Sequence, residues 1–122
     1  MLGTGHGFVL NLYNTCFILE NGNENLLVDT GGGIDIVKNL EKKGYKLTDI
    51  HNIFISHCHT DHILGLMWII KGVAKKLISG DKEPLNIYCN EEVSISIKNM
   101  SKSVFPDKII KAVEENINIY IL

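Results

Sequence analysis

The chain has 122 residues, 45% of them hydrophobic and 21% charged, with a formal net charge of −2. That size and composition fit one domain with a core of its own and exclude a collagen-like, mucin-like or wholly disordered polymer. The 12 basic residues, all lysines, stand against 14 acidic ones, so there is no global basic field to hold nucleic acid, no guanidinium fork for phosphate and no acidic tail.

In chain order, Leu2-Gly3-Thr4-Gly5 opens a glycine-rich turn with no basic segment ahead of it, unlike a signal peptide. Asn14 to Glu20 reads as a strand, Asn21-Gly22-Asn23 as a hairpin turn that tolerates positive φ, and Asn25 to Asp29 as the return strand. Gly31-Gly32-Gly33 breaks that strand. Ile36, Val37 and Leu40 then repeat at helical spacing between Ile34 and Lys43, with Gly44 as the stop. Asn52 to Ser56 is a short apolar run, consistent with a buried strand. Ile63 to Lys76 reads as a helix, Leu85 to Cys89 alternates as a strand, and Glu91 to Lys102 reads as a further helix. Pro106-Asp107 starts a last helix through Glu115, and Ile117 to Leu122 is an apolar strand. Strands alternating with helices predict an α/β layered domain. Both ends read as cut, so residues 1–122 are expected to be one partial domain truncated at each end.

Three cysteines, Cys16, Cys58 and Cys89, are too few and too widely spaced for a disulfide framework, which favours a reducing compartment. The longest apolar stretch, Ile63 to Val73, is interrupted by Gly65, Lys71 and Gly72 and is too short for a bilayer. The expectation is a cytoplasmic protein without a membrane partner.

The chemistry concentrates in His57-Cys58-His59-Thr60-Asp61-His62, an HxHxDH run between an apolar strand and a helix. His57 and His59 are two apart and project to one side, while Asp61 and His62 come from the helix start. Three imidazoles and a carboxylate in a small volume suit Zn²⁺, and also iron or manganese. Two such ions clamp both oxygens of a displacement.

These residues resemble the signature of the metallo-β-lactamase fold superfamily, and Leu27-Val28-Asp29-Thr30-Gly31 resembles its upstream aspartate motif. Leu2-Gly3-Thr4-Gly5 is similar to the opening of the branch that contains ribonuclease Z and related phosphodiesterases. The resemblance spans about residues 2 to 90 and implies the N-terminal half of an αββα sandwich, a mixed sheet with flanking helices. It implies that His57 and His59 hold a first zinc and that Asp61 and His62 hold a second. It also implies that Asp61 handles the proton of the attacking water as a catalytic residue. Asp29 is expected below the metals, accepting an imidazole N–H. The family's full site needs further histidine and aspartate ligands downstream, yet His62 is the last histidine here, and Asp81 and Asp107 match no family motif. The chain alone is therefore expected to bind metal weakly and to lack turnover.

Gly3, Thr4 and Gly5 offer backbone N–H groups to a phosphate or simply make a turn. His6 and His51 read as surface residues, Cys58 as pointing away from the flanking histidines, and Cys16 and Cys89 as core. Leu66, Met67 and Trp68 read as core, and Lys71, Lys75 and Lys76 as a solvated helix face. The expected parent is a metal-dependent phosphodiesterase or ribonuclease acting on RNA or a small phosphodiester. The alternatives are a hydrolase of a thioester, lactone or other small ester on the same fold, and a non-catalytic metal-binding or interaction chain. The uncharged, proline-free run Ile117 to Leu122 predicts self-association through an exposed edge.

Overall fold

The Asn21-Gly22-Asn23 turn closes as the sequence demands: Gly22 adopts φ 63°, and Asn21 pairs with Glu24 across a tight hairpin. In a computed structural model that describes residues 1–5, 16–80 and 82–122, the hairpin joins β1 (Phe17–Asn21) to β2 (Glu24–Val28). His6, Asp81 and the start of the strand expected from Asn14 lie outside the described residues. Then follow α1 (Asp35–Lys42), a short 3-10 turn at Leu47–Asp49, β3 (Asn52–Phe54) and α2 (Thr60–Ile78). The chain finishes with β4 (Leu85–Cys89), α3 (Glu91–Val104), α4 (Asp107–Asn116) and β5 (Ile117–Ile121).

The five strands form one sheet in the order β1-β2-β3-β4-β5, with β1 antiparallel to β2 and all later neighbours parallel. Each parallel step returns through helix in the same direction along the sheet. Right-handed crossovers therefore stack the helices on one face. The strand pattern agrees: Leu85, Ile87 and Cys89 of β4 are buried, whereas Asn86 and Tyr88 are only half-buried. Register aligns Ile18, Leu27, Ile53, Ile87 and Ile119 as one row under the helices. They join Ile36, Leu40, Leu66, Ile69, Ile70, Val73 and Ile97 in a single core.

Two boundaries differ from the sequence reading. β3 stops at Phe54, although Ile55 still donates its N–H to the Tyr88 carbonyl at 3.0 Å. α2 starts at Thr60 rather than Ile63, so Asp61 and His62 lie inside its first turn. Two side chains also depart from expectation. Trp68 is not core but 43% exposed, because Leu66, Ile69, Ile70 and Val73 take the buried stripe of α2 and position 68 falls on the opposite side. His51 is half-buried rather than surface-facing, with the Lys82 ammonium 3.4 Å from its Nδ1, and burial lowers the Lys82 pKa below its ordinary value.

Cys16 and Cys89 are buried as expected, and Cys58 is half-buried with its sulfur accepting from the Ser96 hydroxyl at 3.6 Å. Burial, reinforced by the nearby Asp29 carboxylate, pushes the Cys16 thiol up to about 12 from 9.0. The folded protein then keeps a proton that the unfolded chain releases above pH 9, so stability is expected to fall as pH rises from 9 towards 12. Chemical denaturation at pH 8 and pH 10.5 checks this. The loss should shrink in Cys16→Ala, and an equal loss in both proteins would refute the assignment.

Candidate metal centre

Asp29 follows the last residue of β2 in the left-handed region, φ 58°, a conformation that aspartate tolerates better than most side chains. Its N–H donates to the Phe54 carbonyl at 2.8 Å, fixing it beside the end of β3. The carboxylate, almost fully buried, gathers the neighbouring loop. Oδ1 accepts the Ser56 N–H at 2.8 Å, and Oδ2 accepts the Ser56 hydroxyl at 2.8 Å and the His62 Nδ1–H at 2.9 Å.

This network assigns the imidazole protons. Ser56 has one O–H, which goes to Asp29, so the 2.8 Å contact between Ser56 Oγ and His57 Nδ1 carries its proton on the histidine. His62 likewise spends its Nδ1–H on Asp29. In the neutral ring this Nδ1–H form presents an Nε2 lone pair, the form in which imidazole binds a metal. Sequence reasoning proposed Asp29 for this role and missed Ser56. The available signal was its position, immediately before the first histidine at the end of a strand.

The helix start is pinned from the other side. Thr30 donates both its N–H, at 3.0 Å, and its hydroxyl, at 2.8 Å, to the His62 carbonyl. Gly65 donates to the Gly31 carbonyl at 2.8 Å. The Asp29-Thr30-Gly31 loop thus clamps the first turn of α2, with His59 as its N-cap residue.

The three rings gather as the spacing predicts. The His57 and His59 centroids are 4.6 Å apart, edge to face, and those of His57 and His62 are 4.0 Å apart. His62 Nε2 lies 3.2 Å from Asp61 Oδ2. With the Nδ1 proton spent on Asp29, the neutral ring turns its lone pair towards the Asp61 carboxylate. Their spacing is close to the ~3.3 Å that separates two ligands in a tetrahedral zinc shell. The donor types and tautomers therefore fit a divalent ion. They do so as a partial set: among the described residues, no three His, Cys, Asp or Glu donors close around one ion.

The opening glycines take a different part. Gly3 forms an isolated antiparallel bridge with Cys16, donating its N–H to the Cys16 carbonyl at 3.3 Å and accepting the Cys16 N–H at 3.2 Å. Its N–H is thus spent on the sheet edge rather than offered to a phosphate. Thr4 is exposed and Gly5 buried.

The chain is similar to several known proteins over most of its length. The family described as "Anti-Pycsar protein Apyc1" matches residues 1–104. Ribonuclease Z of Clostridium tetani is 32% identical over 122 aligned residues, covering 96% of this chain and 38% of that protein. The crystal structure of the short form of human tRNase Z superposes with a TM-score of 0.69 at 25% identity, over 84% of this chain and 37% of that one. A dizinc quorum-quenching lactonase shares the fold, with a TM-score of 0.52 at 23% identity, over 89% of this chain and 43% of that one. The chain spans well under half the length of each of these relatives.

Proposed function

Because the chain belongs to the Anti-Pycsar protein Apyc1 family, within the ribonuclease Z-like metallo-β-lactamase fold of metal-dependent hydrolases, we propose that it is part of a phosphodiesterase. Its substrate class is RNA or a small phosphodiester. The observation that carries this reading is the Asp29–Ser56 network, which turns two Nε2 lone pairs of the HxHxDH run outward. His57 and His59 would hold one ion, and Asp61 and His62 a second, with zinc as the first candidate and iron or manganese also suited to these donors. A bound divalent ion supplies acidified water and stabilises negative charge developing on phosphoryl oxygens. Asp29 keeps His62 in the Nδ1–H form, Ser56 does the same for His57, and the Asp61 carboxylate would take a proton from attacking water. The proposed location is cytoplasmic, and no helix among the described residues is long and apolar enough to cross a membrane.

A non-catalytic metal-binding chain is the second reading, and it rests on the partial donor set: among the described residues, no three His, Cys, Asp or Glu donors close around one ion. Elemental analysis of protein purified without added metal separates the readings from simple misassignment. Zinc, iron or manganese is expected with the wild type and at least tenfold less with His59→Ala. Metal together with hydrolysis of bis(p-nitrophenyl) phosphate supports the phosphodiesterase, and metal without hydrolysis supports the second reading. Equal metal in both proteins overturns the site.

A further inference from the structure

Trp68 is the chain's one tryptophan, and it stands 43% exposed on α2 where the sequence pattern places core. It forms the wall of a groove of about 370 Å³, together with Leu64, Met67, Met100 and Phe105. That volume falls in the range of small-ligand sites. Lys71 is the one charged residue among those lining it, and its ammonium stands 5.7 Å over the indole centroid. The groove lies along the same helix whose first turn carries part of the candidate metal centre. Asp61, Leu64, Trp68 and Lys71 fall at i, i+3, i+7 and i+10, one face of α2. At 1.5 Å per residue, Trp68 lies ~10 Å and Lys71 ~15 Å along the axis from Asp61. Gly32, on the loop that carries Asp29 to α1, borders the same groove.

We infer that Trp68 and Lys71 form a nucleotide subsite, the indole stacking a base that flanks the phosphodiester held at the HxHxDH run and Lys71 meeting the adjoining phosphate. This rests on the phosphodiesterase reading and narrows it to substrates with a base beside the scissile bond. The chemistry favours a base over an acyl chain. An acyl group needs only the apolar wall, whereas this wall carries a flat aromatic ring and one cation with no opposing carboxylate. Two thioethers, Met67 and Met100, add polarisable surface that adapts to a planar ligand. Stacking on an aromatic ring accepts any base, so the subsite sets position along the strand rather than sequence.

The single tryptophan makes the test local. The 122-residue chain, treated with chelator to prevent turnover, is titrated with a pentaadenylate while tryptophan emission is followed. Saturable quenching is expected, and none with an abasic pentamer of equal charge. Fluorescence anisotropy of fluorescein-labelled pentaadenylate should then show Trp68→Leu binding about tenfold or more weakly. Lys71→Gln should lower the slope of log affinity against log salt by about 0.7. Both positions are exposed, so both variants should keep the wild-type circular dichroism spectrum. Unquenched emission, or equal binding by Trp68→Leu, overturns the subsite. So does emission that shifts with protein concentration alone, since a second copy then fills the groove. Hydrolysis of bis(p-nitrophenyl) phosphate by metal-loaded protein is read in parallel. Hydrolysis without base stacking leaves the phosphodiesterase and removes the subsite. Stacking in a protein that retains no metal leaves the nucleotide site and removes the hydrolase.

Discussion

Asp29→Ala is expected to cost about 3 kcal/mol of stability, lower the melting temperature by roughly 10 °C and abolish metal retention. The carboxylate is 7% exposed and accepts three hydrogen bonds, from the Ser56 N–H, the Ser56 hydroxyl and His62 Nδ1–H. Bonds to a charged acceptor contribute about 1.5–3 kcal/mol each and do not add, because the donors share one loop and relax together. Alanine also has no side chain to ease a φ of 58°. Asp29→Asn separates the two roles. Asparagine tolerates the left-handed backbone, so the fold should survive with a loss of about 1–2 kcal/mol. Its amide has one oxygen for three donors, so its NH₂ must face a group that needs an acceptor. Relief comes from moving the His62 proton to Nε2, which removes the lone pair facing Asp61. Metal affinity is then expected to fall 10–100-fold while the fold persists. Thermal melts with zinc analysis of wild type, Asp29→Asn and Asp29→Ala decide it, and full metal retention by Asp29→Asn would sink the relay.

Most of this fold was legible because its signals are local. Asn21-Gly22 dictates a tight hairpin, Gly44 with φ 86° ends α1, and the alternating apolar residues of Leu85 to Cys89 mark a strand with one face buried. The HxHxDH cluster was legible for the same reason, since residues within six positions of one another share one turn and their rings lie close together. What the sequence hid depends on contacts between distant segments. The Ser56 relay requires the end of β2 to lie beside the end of β3, a pairing of residues 27 positions apart. Trp68 looked like core because its neighbours are core. Only the rotation of α2, set by Leu66, Ile69, Ile70 and Val73 against the sheet, turns it outward. Gly3 offered a free N–H until its bridge to Cys16 was seen.

The sheet's other face carries the second large expectation: the chain should self-associate through it and run at twice its 13.7 kDa mass in light scattering at high concentration. Register sets Phe17, Val28, Phe54, Tyr88 and Tyr120 in one row on the side away from the core row, with the Tyr88 and Tyr120 rings stacked at 5.2 Å. The next row runs Leu19, Leu26, Asn52, Asn86 and Asn118, its asparagines linked by hydrogen bonds of 3.3 and 3.1 Å. Neither row contains a charge, and Glu24, in the next row on this side, stands exposed at the end of the face, so a second copy covers both rows without burying an unpaired ion. Predominantly parallel sheets normally have both faces covered, and in an αββα sandwich the cover is another sheet. The sequence pointed instead to the edge strand β5, and that edge is open too, with Tyr120, Ile121 and Leu122 all exposed. Two variants tell the routes apart. Tyr88→Lys places charge in the centre of the open face and should yield monomers with unchanged helix content. Ile121→Pro removes an N–H on the free side of β5, since the Leu122 N–H is the one that bonds to Cys89 on β4. Monomers from Ile121→Pro alone would move the interface to the edge, and a monomeric wild type would dismiss both. The face is the stronger expectation because a face-to-face pair buries two aromatic rows at once, whereas edge pairing adds only one short ladder.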